Sequence, residues 1–583
     1  MNDGAATSRR IIVRVLFLAL LCAVTYTIGL TTHGLTNWQE GQRALVAREM
    51  HRAGEWLVPT AHGEPYLAKP PMIYWAQMLI AGGREALGYD AFVDEAEVRL
   101  AVALAGMLGV LATFFAAREL FRGERWSGDD AAWWSALGLA SGVLYVRSSR
   151  IGELDVLIVP FAVGAVGLVA RAWCAADEGR DRWARWACVG LAAVLSTGAA
   201  LTKGPPALLI VALAGYAPIL LLAGRARASA SAAGGPVGAR VGLALLGGAA
   251  LAAAGFSLAE RVSLPWDMLG LGFFAVIGAA MGSALPGIVA RRRAWGAALA
   301  RTHPLLVMGV PVLVFWLWSR AVAARIGGEQ LAALAERELD DNLRMLVLDS
   351  PTKNLGFMLY GVAPASIAAW LGAVWLVRER PALGARAWTP LVWTGLSYAA
   401  FSALGKGVAR YLTPVWPGVA MLGGLWLAAM IHRTGAARLR PFVTAVFVVS
   451  ALLQGWWYGY GREMLYADRS PRDLVREVMA LSEGERPGRS LAVWKLSEPA
   501  LDFYAGTRVT RWDERWLAEN GGELASRPWT LLAIRDEKLD AALAAAGVTL
   551  ERVQTTSLFR WRASRRPVEV WRVVPSAGAG PKD

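Results

Sequence analysis

Long apolar runs alternate along this chain with short links that carry most of its charge, and the period of that alternation is a membrane's rather than a soluble core's. Stretches long enough to cross a bilayer, about 17–25 apolar residues each, fall near 11–31, 98–118, 131–148, 155–174, 185–202 and 206–223. Seven more lie near 240–258, 265–290, 302–325, 357–377, 388–404, 411–431 and 438–458, with the Ala/Gly-rich 240–290 stretch the least punctuated. The pattern predicts a mainly α, polytopic transmembrane helix bundle of roughly 11–13 spans. The first run follows Arg9 and Arg10 and leads into TTHGLTNWQE, with no small-residue cleavage site, so it reads as an uncleaved span.

Two regions break the pattern. Residues 32–97 are too polar to span, and Val46, Met50 and Ala53 recur at helical spacing among Arg43, Arg48, Glu49 and Arg52. That spacing predicts an amphipathic helix in an interfacial first loop. From about 465 onward SLAVWKL, RVTRW, PWTLLAI, SLFRW and VEVWRVV read as short strands, with EPALDFYAG, ERWLAENGGELASR and RDEKLDAALAAAG as helices between them. The expected organisation is therefore a transmembrane domain, 1–464, containing the 32–97 loop, followed by a small α/β domain, 465–583.

Composition agrees with a membrane protein: 55% of residues are hydrophobic and 18% charged. The net charge of +14 would suggest nucleic acid in a soluble chain. Here the arginines gather in alternate links, at Arg118, Arg122 and Arg125, at Arg180, Arg182 and Arg185, at Arg225, Arg227 and Arg240, at Arg291 to Arg293, at Arg378, Arg380 and Arg386, and at Arg433, Arg438 and Arg440. By the positive-inside bias these links face the cytoplasm, which excludes the nucleic-acid reading and puts the N-terminus inside. The 32–97 loop, RIGELD, TKGPP, 326–356, GKGVARY and the terminal domain then face outward. Cys22, Cys174 and Cys188 lie in or beside apolar runs, and the five histidines, His33, His51, His62, His303 and His432, form no i, i+4 pair, so neither supplies a local metal-ligand spacing.

The outward set holds the candidate chemistry: Glu40, Lys69, Asp155, Lys203, Lys406 and Arg410. Each has a plain alternative. Glu40 follows Asn37 by three residues and could complete a capping box, Asp155 could cap a span, and a lysine at a span end often only snorkels. Yet lysines on the outward side run against the positive-inside bias, which favours a functional reading for Lys69, Lys203 and Lys406.

Four stretches carry a resemblance. NWQEGQRALVAREM with GEWLVPT and YLAKPPMIYW, then RIGELDVLI, then LTKGPPALLI, then GKGVARYLTPVWPG resemble, in order, motifs of the polytopic lipid-sugar glycosyltransferases. That group includes the aminoarabinose transferases of lipid A and the protein O-mannosyltransferases. The resemblance covers roughly residues 10–430. It departs in two places: Gln39-Glu40 stands where the aminoarabinose transferases usually have Asp-Glu, and Ala68 stands where they carry a glutamate that is a candidate metal ligand.

The resemblance implies an inverting, direct-displacement transfer of one sugar from a polyprenyl-phosphate donor to a lipid, glycan or protein acceptor, on the outer face of a bacterial inner membrane. Asp155 and Glu40 are then the acceptor-side carboxylates, one as base. Lys69, held by Pro70 and Pro71, with Lys406, Arg410 and Lys203, would neutralise the departing phosphate. A divalent metal is an open question given Ala68. The competing class is a transporter or flippase of lipid-linked intermediates, which would place its ionisable groups near the midplane of broken spans.

Overall fold

Apolar helices dominate the computed structural model, which describes residues 2–89, 93–124, 128–174, 182–223, 285, 288–344, 350–379, 381, 383–404, 407–481, 491–524, 529–561 and 564–575. Among these, eight helices are long and apolar enough to cross a membrane. They are Ala6–Thr27, Glu95–Leu120, Leu154–Cys174, Arg182–Lys203, Pro205–Leu222, Pro304–Ile326, Ala409–Arg433 and Ala437–Arg469. A bent pair, Pro351–Tyr360 with Ala365–Glu379, makes a ninth if counted as one span. The expected spans at 240–258 and 265–290 lie outside the described residues.

Two expected spans take a different form. The run expected at 131–148 is split into Gly128–Ala140 and Val143–Ser148. Gly142 is extended between them, with φ −71° and ψ 125°, and the Leu144 amide bonds to the carbonyl of Gly361 instead of continuing the helix. The stretch expected at 388–404 is the 15-residue helix Thr389–Ala403, preceded by a 3₁₀ turn.

The residues cluster into two compact units. One comprises Met1–Ile28, Leu67–Ile73 and Ala101–Gly455; the other comprises Gly29–Tyr66, Tyr74–Leu100 and Trp456–Asp583. The first unit is a helix bundle in which small residues allow close approach, as where Gly424 lies against Ser135 and the Ala131 carbonyl. Stripes of this kind let helices pack without bulky side chains between them.

In the second unit the helix Trp38–Ala53 buries ten of its sixteen residues. Its Gly41 has no room for a side chain beside Ala500, so it packs directly on the helix Pro499–Ala505. Asn37 caps it, accepting from the Gln39 amide at 3.0 Å, and Gly54, at φ 63°, ends it.

The terminal sheet runs in the order Thr510–Trp512, Leu491–Trp494, Trp529–Ala533, Glu569–Pro575, Val548–Val553. The first three strands are parallel, joined through helices, and the last two are each antiparallel to the strand before them. Two cores sandwich it, one containing Val493, Leu532 and Phe559, the other Trp512, Trp529 and Leu531. SLFRW forms only an isolated bridge, Arg560 to Pro567, and the strand partnering Glu569–Pro575 is VTLERV, which alternation alone did not single out.

Candidate functional site

The KGPP sequence fixes one lysine. Helix Arg182–Lys203 ends at Lys203 because Gly204 takes φ 79° and Pro205 and Pro206 open a 3₁₀ turn. Glycine supplies the left-handed exit and proline cannot continue the previous helix, so the ammonium is left at the helix terminus. There it donates to Asp155 Oδ1.

Asp155 sits in the 3₁₀ turn Leu154–Leu157 that leads into Ile158–Cys174. The cap position is Glu153, which makes no side-chain cap bond, so Asp155 is not spent on capping. It is buried, and its counter-charge is Lys203.

The Tyr-x-x-Pro-x-x-Pro stretch supplies the remaining wall. Ala409–Val415 is a 3₁₀ helix with Pro414 inside it, followed by Trp416–Arg433 with Pro417 in its first turn. Lys406 lies outside the described residues. Arg410 and Lys203 flank one ring: the guanidinium is 5.2 Å and the ammonium 4.2 Å from the Tyr411 centroid. A hydroxyl pair, Ser148 with Thr413 at 3.3 Å, ties this stretch to Val143–Ser148, while Glu153 takes Arg147 at 3.4 Å. Asp155, Lys203, Tyr411 and Arg410 thus form one constellation from three non-adjacent motifs.

Lys69 belongs to the same unit as that constellation. The two prolines after it precede the helix Met72–Ala86, and its ammonium donates to Glu338 Oε1 at 2.6 Å and to the Ala68 carbonyl at 2.5 Å. Glu338, on the amphipathic helix Gly328–Arg344, was not visible as a partner from sequence.

Glu40 belongs to the other unit. Its carboxylate accepts from Arg99 Nε at 2.8 Å, both residues being 1% exposed. Arg99 also donates to the carbonyls of Leu30 and His33 at 2.7 Å and of Gly34 at 2.9 Å, so one guanidinium gathers the segment from Leu30 to Glu40. The signal for Arg99 was present: a lone arginine in the apolar run EVRLAVALAG must have a buried counter-charge.

Among the described residues, no group of three or more His, Cys, Asp or Glu side chains is placed to hold a metal ion. With Ala68 beside Lys69, the carboxylate that pairs with that lysine among the described residues is Glu338.

An apolar groove of about 450 Å³ runs between Arg182–Lys203 and Pro304–Ile326. Trp186, Ala193, Val194, Leu306, Val310 and Val314 line it. Trp186 precedes Lys203 by seventeen residues, roughly 25 Å along the helix axis.

Residues 68–247 match the family described as dolichyl-phosphate-mannose-protein mannosyltransferase. An undecaprenyl phosphate-alpha-4-amino-4-deoxy-L-arabinose arabinosyl transferase of Pseudomonas paraeruginosa is 34% identical over 181 residues, 31% of this chain and 30% of that protein. One of the same name, numbered 1, from Pseudomonas fluorescens is 30% identical over 198 residues, 34% of this chain and 32% of that protein. The chain therefore matches about a third of the length of these curated relatives. The crystal structure of ArnT from Cupriavidus metallidurans bound to undecaprenyl phosphate superposes with a TM-score of 0.61 at 18% identity, over 97% of this chain and 99% of that one.

Proposed function

We propose that this chain is a polytopic lipid-sugar glycosyltransferase that moves a single sugar from a polyprenyl-phosphate donor to an acceptor at the outer face of a bacterial inner membrane. The observation that carries the reading is the Asp155–Lys203–Tyr411–Arg410 constellation. It sets a buried carboxylate beside two cations, the pairing that an acceptor hydroxyl and a departing phosphate need.

The acceptor oxygen attacks the anomeric carbon, its proton passes to Asp155, and the bond from that carbon to the phosphate oxygen breaks with inversion. Polyprenyl phosphate leaves with the electron pair. Lys203 holds Asp155 in place and, with Arg410, faces the charge that develops on the phosphate; Lys69 and Lys406 complete the cationic set. Glu40 acts through the first loop, which its pair with Arg99 fixes. The apolar groove along the helix that ends at Lys203 suits an isoprenoid chain. That the segments 29–66 and 74–100 pack in one unit with 456–583 supports placing the first loop and the terminal domain on the same, outer face. The relatives' names give a polyprenyl-phosphate sugar as donor; lipid, glycan and protein acceptors all stay in the test.

The test is release of free polyprenyl phosphate from a panel of polyprenyl-phosphate sugars by the purified protein with acceptor-containing membranes. Release that falls about 10²–10⁴-fold in Asp155→Asn supports the assignment. No release from any donor overturns the reaction class.

A further inference from the structure

At the far end of the bundle from Asp155 is a second cationic cluster that the transfer reaction does not use. Arg171 follows Asp155 by sixteen residues on one continuous helical run, Leu154–Cys174, so the two ends lie roughly 24 Å apart. There Arg122 Nη2 and Arg171 Nη1 donate to the same oxygen of Glu119, at 2.7 and 2.8 Å. Arg386 Nη1 donates to the Glu119 main-chain carbonyl at 3.0 Å. Three guanidiniums from three separate segments thus converge on one residue.

Several neighbouring charges are paired with one another. Arg118 is paired with Asp129, while Arg14 and Arg440 share Asp130. Glu124 accepts the Gly384 amide at 2.9 Å. The residues named here are six arginines and four carboxylates. Anchoring at a membrane surface needs no such convergence, because snorkelling arginines repel one another and spread. A planar guanidinium fork fits a phosphate, and several forks aimed at one place fit it better.

A second observation indicates what bears the phosphate. On Glu95–Leu120, Leu104, Leu108 and Phe115 are 40%, 51% and 46% exposed. With Glu119 they step by 4, 7 and 4 residues, which keeps them on one face of the helix, and Arg122 follows in the turn just past its end. This exposed apolar stripe leads along the helix to Glu119, where the arginines converge.

We propose that an anionic phospholipid occupies this face, its headgroup phosphate on Arg122, Arg171 and Arg386 and an acyl chain along Leu104, Leu108 and Phe115. Basic pockets at the ends of membrane helices have the chemistry to hold such headgroups. The site is independent of the proposed reaction.

The test is thermal unfolding of the full chain in neutral detergent with added cardiolipin, phosphatidylcholine or inorganic phosphate, since a ligand of the folded state raises Tm by mass action. Cardiolipin alone should raise it. Arg122→Gln with Arg171→Gln should weaken cardiolipin binding about thirtyfold, on the basis of about one interaction's worth of affinity per arginine. Equal shifts with phosphatidylcholine, or a shift that survives in the variant, overturn the site. Equal protection by inorganic phosphate makes it a small-anion site and overturns the lipid. Should the double variant unfold, Arg171→Gln alone, at a side chain 42% exposed, keeps the test. Cardiolipin retention by native mass spectrometry must fall in it while the lipid-free Tm stays near wild type; unchanged retention refutes the proposal.

Discussion

Removing Arg99 separates anchoring from chemistry at Glu40. Arg99→Gln removes one side of a buried ion pair, and breaking one side of such a pair costs about 3–5 kcal/mol. Thermal unfolding should show a large loss of stability, and Glu40→Gln combined with Arg99→Gln should recover part of it. If Glu40 acts only through the loop, Glu40→Gln lowers Tm while kcat at a permissive temperature is retained; a lost kcat with an unchanged Tm would give it a direct role. Glu338 poses the opposite question. Its pair with Lys69 is about a quarter to a third exposed on either side. Such a pair is worth under about 1 kcal/mol. Glu338→Gln is therefore expected to lower the donor KM about two- to fivefold with kcat unchanged, because phosphate no longer competes with a carboxylate. A fall in kcat would instead make Glu338 a positioning residue for Lys69. These residues also show what sequence could carry. Asp155 was readable because RIGELD is short and sits at a span start. Lys203, weighed there as a snorkelling anchor, is the residue paired with Asp155, because the Gly204 turn that aims it is a backbone property. Glu338 pairs with a lysine 269 residues away, a distance no local pattern encodes.

Helix ends decide how the elements begin, and one end titrates. Asp94 Oδ1 accepts the Ala96 amide at 2.7 Å while Glu97 Oε2 accepts the Asp94 amide at 2.9 Å, a reciprocal cap on Glu95–Leu120. Burial first, and the neighbouring Glu97 next, push the Asp94 carboxyl from 3.8 up to about 6. A folded-state value above the unfolded one means that the folded protein holds the proton more tightly. The stability this gives is complete below about pH 3.8 and is lost as pH rises through about 6. Asparagine caps as well as aspartate and carries no charge. Asp94→Asn should therefore flatten the fall in Tm between pH 4 and 6 and leave the variant the more stable protein at pH 7; an unchanged slope across that window refutes the shift. The elements themselves were legible where apolar runs are long and uninterrupted, as at Pro304–Ile326. They were not legible where tertiary bonding overrides the run. The break after Ser141 depends on the Gly361 carbonyl, and VTLERV becomes a strand because Glu569–Pro575 offers it an edge. SLFRW, with the β-like residues, is held instead by Phe559 in the core and by its Arg560 amide on the Asp468 carbonyl at 2.6 Å.

Orientation in the membrane is the property on which the whole assignment turns, because a polyprenyl-phosphate transferase of this kind must present Asp155 and Lys203 to the outer face. The arginine-rich links predict it, and the three native cysteines make it measurable. Cys22, Cys174 and Cys188 are all buried, so a membrane-impermeant maleimide has little background to react with. Cysteines introduced at exposed sites then report one face each. Glu64→Cys, in the first loop, and Arg515→Cys, whose parent side chain is 85% exposed in the terminal domain, should label on intact cells with the outer membrane opened. Arg438→Cys, in the exposed link between Trp416–Arg433 and Arg440–Trp456, should label only after the inner membrane is permeabilised. Because Glu64 and Arg515 belong to one compact unit, they must label together whatever the orientation. A split between them would contradict the fold itself. Joint labelling only after permeabilisation would keep the fold and reverse the membrane. It would place the Asp155 constellation on the cytoplasmic side, away from an outer-face acceptor, and would move the second arginine cluster to the outside, where the positive-inside bias does not put it.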